Sequence, residues 1–99
     1  MNFKDYQDFA KKDWQPGCDL KVFALGLGGE SGEVLDIIKK VFRDQKPIEE
    51  VKDHLKEELG DVLWYIANLC NVLGFDLENV AIENKLKLNK RYGGKIKND

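Results

Sequence analysis

The sequence contains little of what marks membrane, secreted or nucleic-acid-binding proteins. Its longest run without a charged residue, Val62 to Phe75, has 14 residues and is too short to span a bilayer. The N-terminal segment MNFKDYQDFAKKDW has no apolar core of the kind that a signal peptide needs. Lysine and arginine number 16 against 18 acidic residues, so the basic excess typical of nucleic-acid binding is absent. We therefore expect a cytoplasmic protein that contacts neither membranes nor nucleic acid.

Cysteine and proline are equally scarce, with two of each. Cys18 and Cys70 could pair, but Cys70 lies in an apolar helical pattern, where a buried reduced thiol is the commoner state, and free thiols fit a cytoplasmic protein. Pro16 and Pro47 fall between periodic segments, and the chain has no repeat or low-complexity tract. The length predicts a single domain, residues 1–99, with a small core. The tail 93–99, GGKIKND, is predicted to fray.

The chain also lacks period-two alternation and hairpin signals, which favours an all-α fold. Four helices are predicted from caps and breakers. The first runs from an Asn2 cap to Trp14, the second from about Leu20 to Arg43, the third from Pro47 to about Leu73, and the fourth from an Asp76 cap to about Tyr92.

The second predicted helix is apolar on every side. Phe23, Val34, Ile37 and Val41 share one side of it, while Ala24, Leu35 and Phe42 point away from that side. A helix that is apolar all round is buried all round, and a small monomer has few elements with which to surround one. We therefore predict a four-helix bundle that is completed by oligomerisation.

Two acidic pairs lie beside apolar residues. Glu30 and Glu33 are three residues apart within GLGGESGE, residues 26–33, and point towards the core side of the second helix. Glu58 and Asp61 repeat this spacing on the third helix, on a stripe that also carries Tyr65. That stripe flanks the main apolar stripe of the third helix, which consists of Leu55, Leu59, Val62, Ile66, Leu69 and Leu73.

Four uncompensated carboxylates would repel one another, and their pKa values would rise. Mg²⁺ or Mn²⁺ relieves this repulsion, because hard divalent cations favour oxygen ligands. Gly26, Gly29 and Gly32 leave room for a neighbouring backbone or a bulky ligand near the acids. A single E-x-x-E is usually a solvated helix face, but its recurrence on a second helix favours a Mg²⁺ site in which Mn²⁺ is an expected substitute.

GESGE, followed by EELGDVLWY and by the ending ENKLKLNKRY, resembles the MazG-like nucleoside triphosphate pyrophosphohydrolases over roughly residues 20–92. The hallmark of that all-α superfamily is E-x-x-E and then, after an intervening stretch, E-x-x-D. The resemblance implies hydrolysis of a nucleoside or deoxynucleoside triphosphate between the α and β phosphates to a monophosphate and pyrophosphate. It also implies a homodimer or homotetramer. The metal ligands that it implies are Glu30, Glu33, Glu58 and Asp61.

A carboxylate that is not fully engaged with metal can take the proton of an attacking water, and Glu33 and Glu58 are both candidates for this base. The sequence does not choose between them. Five further side chains are candidates for binding the substrate: Lys40, Tyr65, Asn84, Lys87 and Arg91. Each has a structural alternative, namely a salt bridge for Lys40, core packing for Tyr65 and a solvated helix face for the other three. His54, the only histidine, is expected at the surface or behind Glu58.

Two other functions compete with hydrolysis. A carboxylate-bridged di-iron bundle needs two Glu-x-x-His motifs, and the single histidine here has no glutamate three residues before it. A non-catalytic nucleotide-binding or partner-binding homologue is excluded by nothing in the sequence, although the four intact acids argue against it. A Walker loop is absent, because GLGGESGE lacks the Gly-Lys-Ser/Thr ending.

Overall fold

The computed structural model describes residues 1–93, and in that range it contains four α-helices, one short 3-10 helix and no strand. The elements in chain order are α1 (Phe3–Lys11), α2 (Leu20–Arg43), the 3-10 helix (Ile48–Glu50), α3 (Lys52–Leu73) and α4 (Leu77–Tyr92). The all-α prediction is therefore confirmed. Most of the tail that was predicted to fray, residues 94–99, lies outside the described residues.

Side-chain caps determine where three of the helices begin. Asn2 accepts a hydrogen bond from the Asp5 amide at 2.8 Å, and Asp19 accepts one from the Val22 amide at 3.0 Å. Asp76 does the same for α4. Each cap satisfies an amide that has no partner within the first helical turn. The predicted start of α2 is correct for this reason, and its predicted end at Arg43 is correct as well.

Two other predicted bounds are wrong. The first helix ends at Lys11 and not at Trp14, because the chain turns and the indole Nε1 of Trp14 donates to Asn68 Oδ1 at 2.8 Å. The third α-helix begins at Lys52 and not at Pro47. A 3-10 turn precedes it, and Val51, with φ −114° and ψ 1°, separates that turn from the helix.

The long helices α2 and α3 pack against each other as an antiparallel pair around Phe23. This side chain is buried, and its ring centroid lies 5.2 Å from that of Trp14, 5.8 Å from Trp64 and 6.4 Å from Tyr65. Aromatic pairs in such tilted and edge-on arrangements contribute about 0.5–1.5 kcal/mol each beyond their buried area. This cluster therefore holds α2 and α3 in register near the acidic residues.

Gln7 of α1 joins the remaining elements. Its Oε1 accepts from the Leu77 amide at 2.9 Å, and its Nε2 donates to the Phe75 carbonyl at 2.8 Å. Below it, Ala10, Ala67, Cys70 and Leu77 form a small buried cluster. Gln7 thus fastens the turn between α3 and α4 to α1.

The buried face of α3 differs from the main apolar stripe of the sequence. Leu59, within that stripe, is 55% exposed, whereas Ala67, Asn68 and Cys70 are buried. Hydrophobic periodicity shows which residues share a face, but the neighbouring helices decide which face they cover. Here α2 lies over the side of α3 that carries Glu58 and Tyr65, so acids of both helices meet.

The outer face of α2 has no covering element within the described chain. Leu35 and Phe42 are 68% and 79% exposed, although Phe23 and Val41 on the opposite side are buried. Cys18 and Cys70 are free thiols in the structure, as predicted. Across residues 1–93 we find no helix with the length and apolar character needed to cross a membrane.

Candidate metal centre

Three carboxylates from two helices converge between α2 and α3. One oxygen from each of Glu30, Glu33 and Glu58 lies within 4.8 Å of the other two. Two oxygens on opposite sides of one cation, each at about 2.1–2.4 Å, would be separated by about 4.2–4.8 Å. The three oxygens therefore stand at separations that a shared cation can bridge.

The electrostatics of the cluster show that the acids are crowded. Contact with the carboxylates of Glu30 and then Glu33, followed by burial, raises the pKa of Glu58 to about 7. The physical cause is that a protonated Glu58 can donate a hydrogen bond to a neighbouring carboxylate, whereas an ionised Glu58 is repelled by it. This crowding therefore keeps a larger fraction of Glu58 uncharged near neutral pH than an isolated glutamate would have.

Two oxygens of this cluster are also left without partners. Glu30 Oε2 and Glu58 Oε2 are both buried and accept no hydrogen bond. A buried acceptor without a donor costs free energy, and a carboxylate oxygen is an acceptor only unless it is protonated. Both oxygens suit a hard cation, which binds oxygen ligands. The residues present thus fit a divalent metal.

Asp61, the fourth predicted ligand, lies outside the group of three. It is exposed on α3, one turn beyond Glu58. Its charge reaches Tyr6 of α1 and, after the effect of burial, is the second cause that raises the pKa of the Tyr6 hydroxyl. Tyr6 was not predicted as a neighbour of the acids, since the sequence only places it on the apolar face of α1.

His54 contacts the cluster from outside. Its Nε2 lies 3.3 Å from Glu58 Oε1, at the i, i+4 spacing on α3. The contact is at ion-pair distance. The sequence predicts His54 at the surface or behind Glu58, and this contact agrees with that prediction.

Tyr65 of α3 packs against α2 at Gly26, one helical turn before Glu30. A Cβ atom at Gly26 would overlap the Tyr65 ring, with Cδ1 at 2.7 Å. Apart from their chain neighbours and the nearby backbone of α2 itself, Gly29 and Gly32 have no described atom within 4 Å of such a Cβ position. The glycines of GLGGESGE therefore differ, since Gly26 admits a neighbouring ring and the others face open space.

The other four predicted substrate-binding residues make no recorded contact with the clustered carboxylates within residues 1–93. Lys40 Nζ is 2.9 Å from Asp36 Oδ2, and this contact, with that of Lys39, holds the pKa of Asp36 below its usual range. Asn84, Lys87 and Arg91 are exposed on α4. Among the residues that the structure describes, none of these three forms an ion pair or hydrogen bond with the acidic cluster.

The sequence comparisons identify a family for this chain. The chain matches the family model of the MazG nucleotide pyrophosphohydrolase domain over residues 20–94, which include α2, α3 and α4. It is 42% identical over 80 residues to the Gene 37 protein of Mycobacterium phage L5. That alignment covers 75% of this chain and 70% of the phage protein. No solved structure gives a significant match. From the family match over most of its length, we conclude that the chain belongs to the MazG nucleotide pyrophosphohydrolase family.

Proposed function

We propose that this protein hydrolyses a nucleoside or deoxynucleoside triphosphate between the α and β phosphates and requires Mg²⁺ to do so. The products are a monophosphate and pyrophosphate. The observation that carries the proposal is the convergence of Glu30, Glu33 and Glu58 within 4.8 Å, with two buried oxygens that lack partners. Membership of a nucleotide pyrophosphohydrolase family makes the triphosphate the fitting substrate.

In this proposal Glu30, Glu33 and Glu58 hold the metal, and Asp61 is the fourth ligand. Asp61 is one turn from Glu58, and residues three apart on a helix are neighbours on its surface. A bound divalent cation supplies positive charge that offsets the negative charge on the phosphate oxygens. Glu33 is the more exposed of the two candidate bases, and the pKa of Glu58 is raised to about 7. Either carboxylate can accept a proton from the attacking water.

The exposed residues of α4 are proposed to bind the phosphates in an oligomer. Asn84, Lys87 and Arg91 share a face of α4 and are all exposed, so they are available to a nucleotide or a second subunit. The uncovered side chains of Leu35 and Phe42 on α2 support a homodimer or homotetramer. Tyr65 is proposed to contact the sugar or base, since it packs against Gly26, one turn before Glu30 on α2. Lys40 is proposed to reach a phosphate once it leaves Asp36.

The test is to incubate the protein with Mg²⁺ and each triphosphate in turn, and to measure pyrophosphate and orthophosphate separately. We expect pyrophosphate without orthophosphate, and we expect Glu30→Gln and Glu58→Gln to abolish most of the release. Glu57→Gln is a matched control, because Glu57 is an exposed acid on the same helix outside the cluster. Full activity of Glu58→Gln would show that the cluster takes no part in the reaction.

A second candidate is a homologue that binds nucleotides without hydrolysing them. One observation favours it, namely the position of Asp61 outside the group of three carboxylates. This candidate predicts that a non-hydrolysable nucleotide analogue raises the melting temperature in the presence of Mg²⁺ while no triphosphate in the panel is turned over. Pyrophosphate release from any one of them would exclude it.

A further inference from the structure

We infer that His54 is a positioning residue, whose Nε2–H donates to Glu58 Oε1 and orients the carboxylate so that its other oxygen is directed to the metal. This inference rests on the proposed function, since the metal at Glu30, Glu33 and Glu58 is itself part of that proposal. It assigns a role to the only histidine of the chain, which the reaction described above does not use.

The two oxygens of Glu58 have different surroundings. Oε1 has His54 Nε2 at 3.3 Å, whereas Oε2 is buried and has no hydrogen-bond partner. The His54 side chain is 58% exposed and that of Glu58 only 13%, so the imidazole lies on the solvent side of the carboxylate. The 3.3 Å contact is at ion-pair distance, and a hydrogen bond formed there would occupy Oε1 and leave Oε2, which has no partner, for a cation held jointly with Glu30.

A constraint of this kind matters for a glutamate. Its long side chain has several rotatable bonds, and ordering such a chain costs up to about 1.5–2 kcal/mol of rotamer freedom. A carboxylate that is already held by a neighbouring donor loses less freedom when it binds metal. Outer partners of metal ligands typically change metal affinity by about 10–100-fold when they are removed. A neutral imidazole with its proton on Nε2 is sufficient as the donor.

The experiment measures Mn²⁺ binding, without substrate, by calorimetry or by the loss of the free-ion electron paramagnetic resonance signal. His54→Leu removes the donor, whereas His54→Gln keeps an N–H donor on a side chain of similar reach. Lys52→Leu is the control, because it breaks an exposed ion pair with Glu49 on the same part of the chain. Circular dichroism of each variant shows whether the helices are retained.

We expect Mn²⁺ affinity to fall about tenfold or more in His54→Leu and to stay near that of wild type in His54→Gln and Lys52→Leu. Saturating Mg²⁺ should then restore the turnover of His54→Leu, since His54 does not touch the substrate. Equal affinity in His54→Leu and wild type would overturn the inference and leave the proposed function standing. An equal loss in His54→Gln would also overturn it, because a donor alone would then be insufficient. A wild-type protein that binds no Mn²⁺ would overturn both proposals.

Discussion

Gly26→Ala is expected to destabilise the protein although alanine is the better helix former. Gly26 lies inside α2, in its second turn, directly against the ring of Tyr65. A Cβ atom there would overlap several ring carbons, so the ring or the helix has to move. The matched variant Gly29→Ala places its Cβ on the same helix, where no described atom beyond its chain neighbours and the nearby helix backbone lies within 4 Å.

The two variants are expected to change the free energy of unfolding in opposite directions. Overpacking costs about 1–3 kcal/mol, and replacing glycine by alanine in a helix returns about 1 kcal/mol, so Gly26→Ala should lower the free energy of unfolding by about 0–2 kcal/mol. Gly29→Ala should raise it by about 1 kcal/mol. Because both variants share the propensity gain, the difference between them isolates the contact with Tyr65. That difference of about 1–3 kcal/mol corresponds to at least about 4 °C in melting temperature for a domain of this size.

The assay is a thermal melt of both variants in chelator, repeated in a Tyr65→Leu background. In that background the ring is gone, and Gly26→Ala should become as stabilising as Gly29→Ala. The displaced ring should also raise KM for the triphosphate in the single variant, since Tyr65 is a proposed substrate contact. A Gly26→Ala protein that melts at or above Gly29→Ala in the wild-type background would refute the reasoning.

Two further predictions concern the acids and the outer face of α2. In chelator, the free energy of unfolding should fall as the pH rises from about 5 to about 8. The pKa of Glu58 is about 7 in the folded protein and 4.5 for the free side chain, so the folded state binds more protons in this range. Urea unfolding midpoints measured in chelator at several pH values test this. Glu58→Gln should remove the part of the pH dependence that comes from Glu58. A wild-type midpoint that rises with pH would contradict the assignment. Leu35→Glu should reduce the mass measured by light scattering to that of a monomer, whereas Lys39→Glu, on an exposed charged residue, should not. A monomeric wild-type protein would contradict the proposed oligomer.

Much of the local structure could be predicted from the sequence because it depends on neighbouring residues. The caps Asn2, Asp19 and Asp76 and the stop at Gly74 act within one helical turn, so three helix starts and the end of α3 were readable. The two errors arose where a distant contact or a backbone change intervenes. Trp14 leaves α1 for Asn68, more than fifty residues away, and Val51 interrupts the helix that Pro47 could have begun.

The candidate site was likewise predictable only in part from the sequence. Periodicity was sufficient to show that Glu30 and Glu33 share one side of α2, and that Glu58 and Asp61 are neighbours on α3. It could not show that three of these carboxylates meet while Asp61 stays outside. Helical periodicity relates residues within one helix only. The rotation and offset of α2 against α3 depend on how side chains such as those of Phe23 and Tyr65 pack across the pair, and only the tertiary structure decides that.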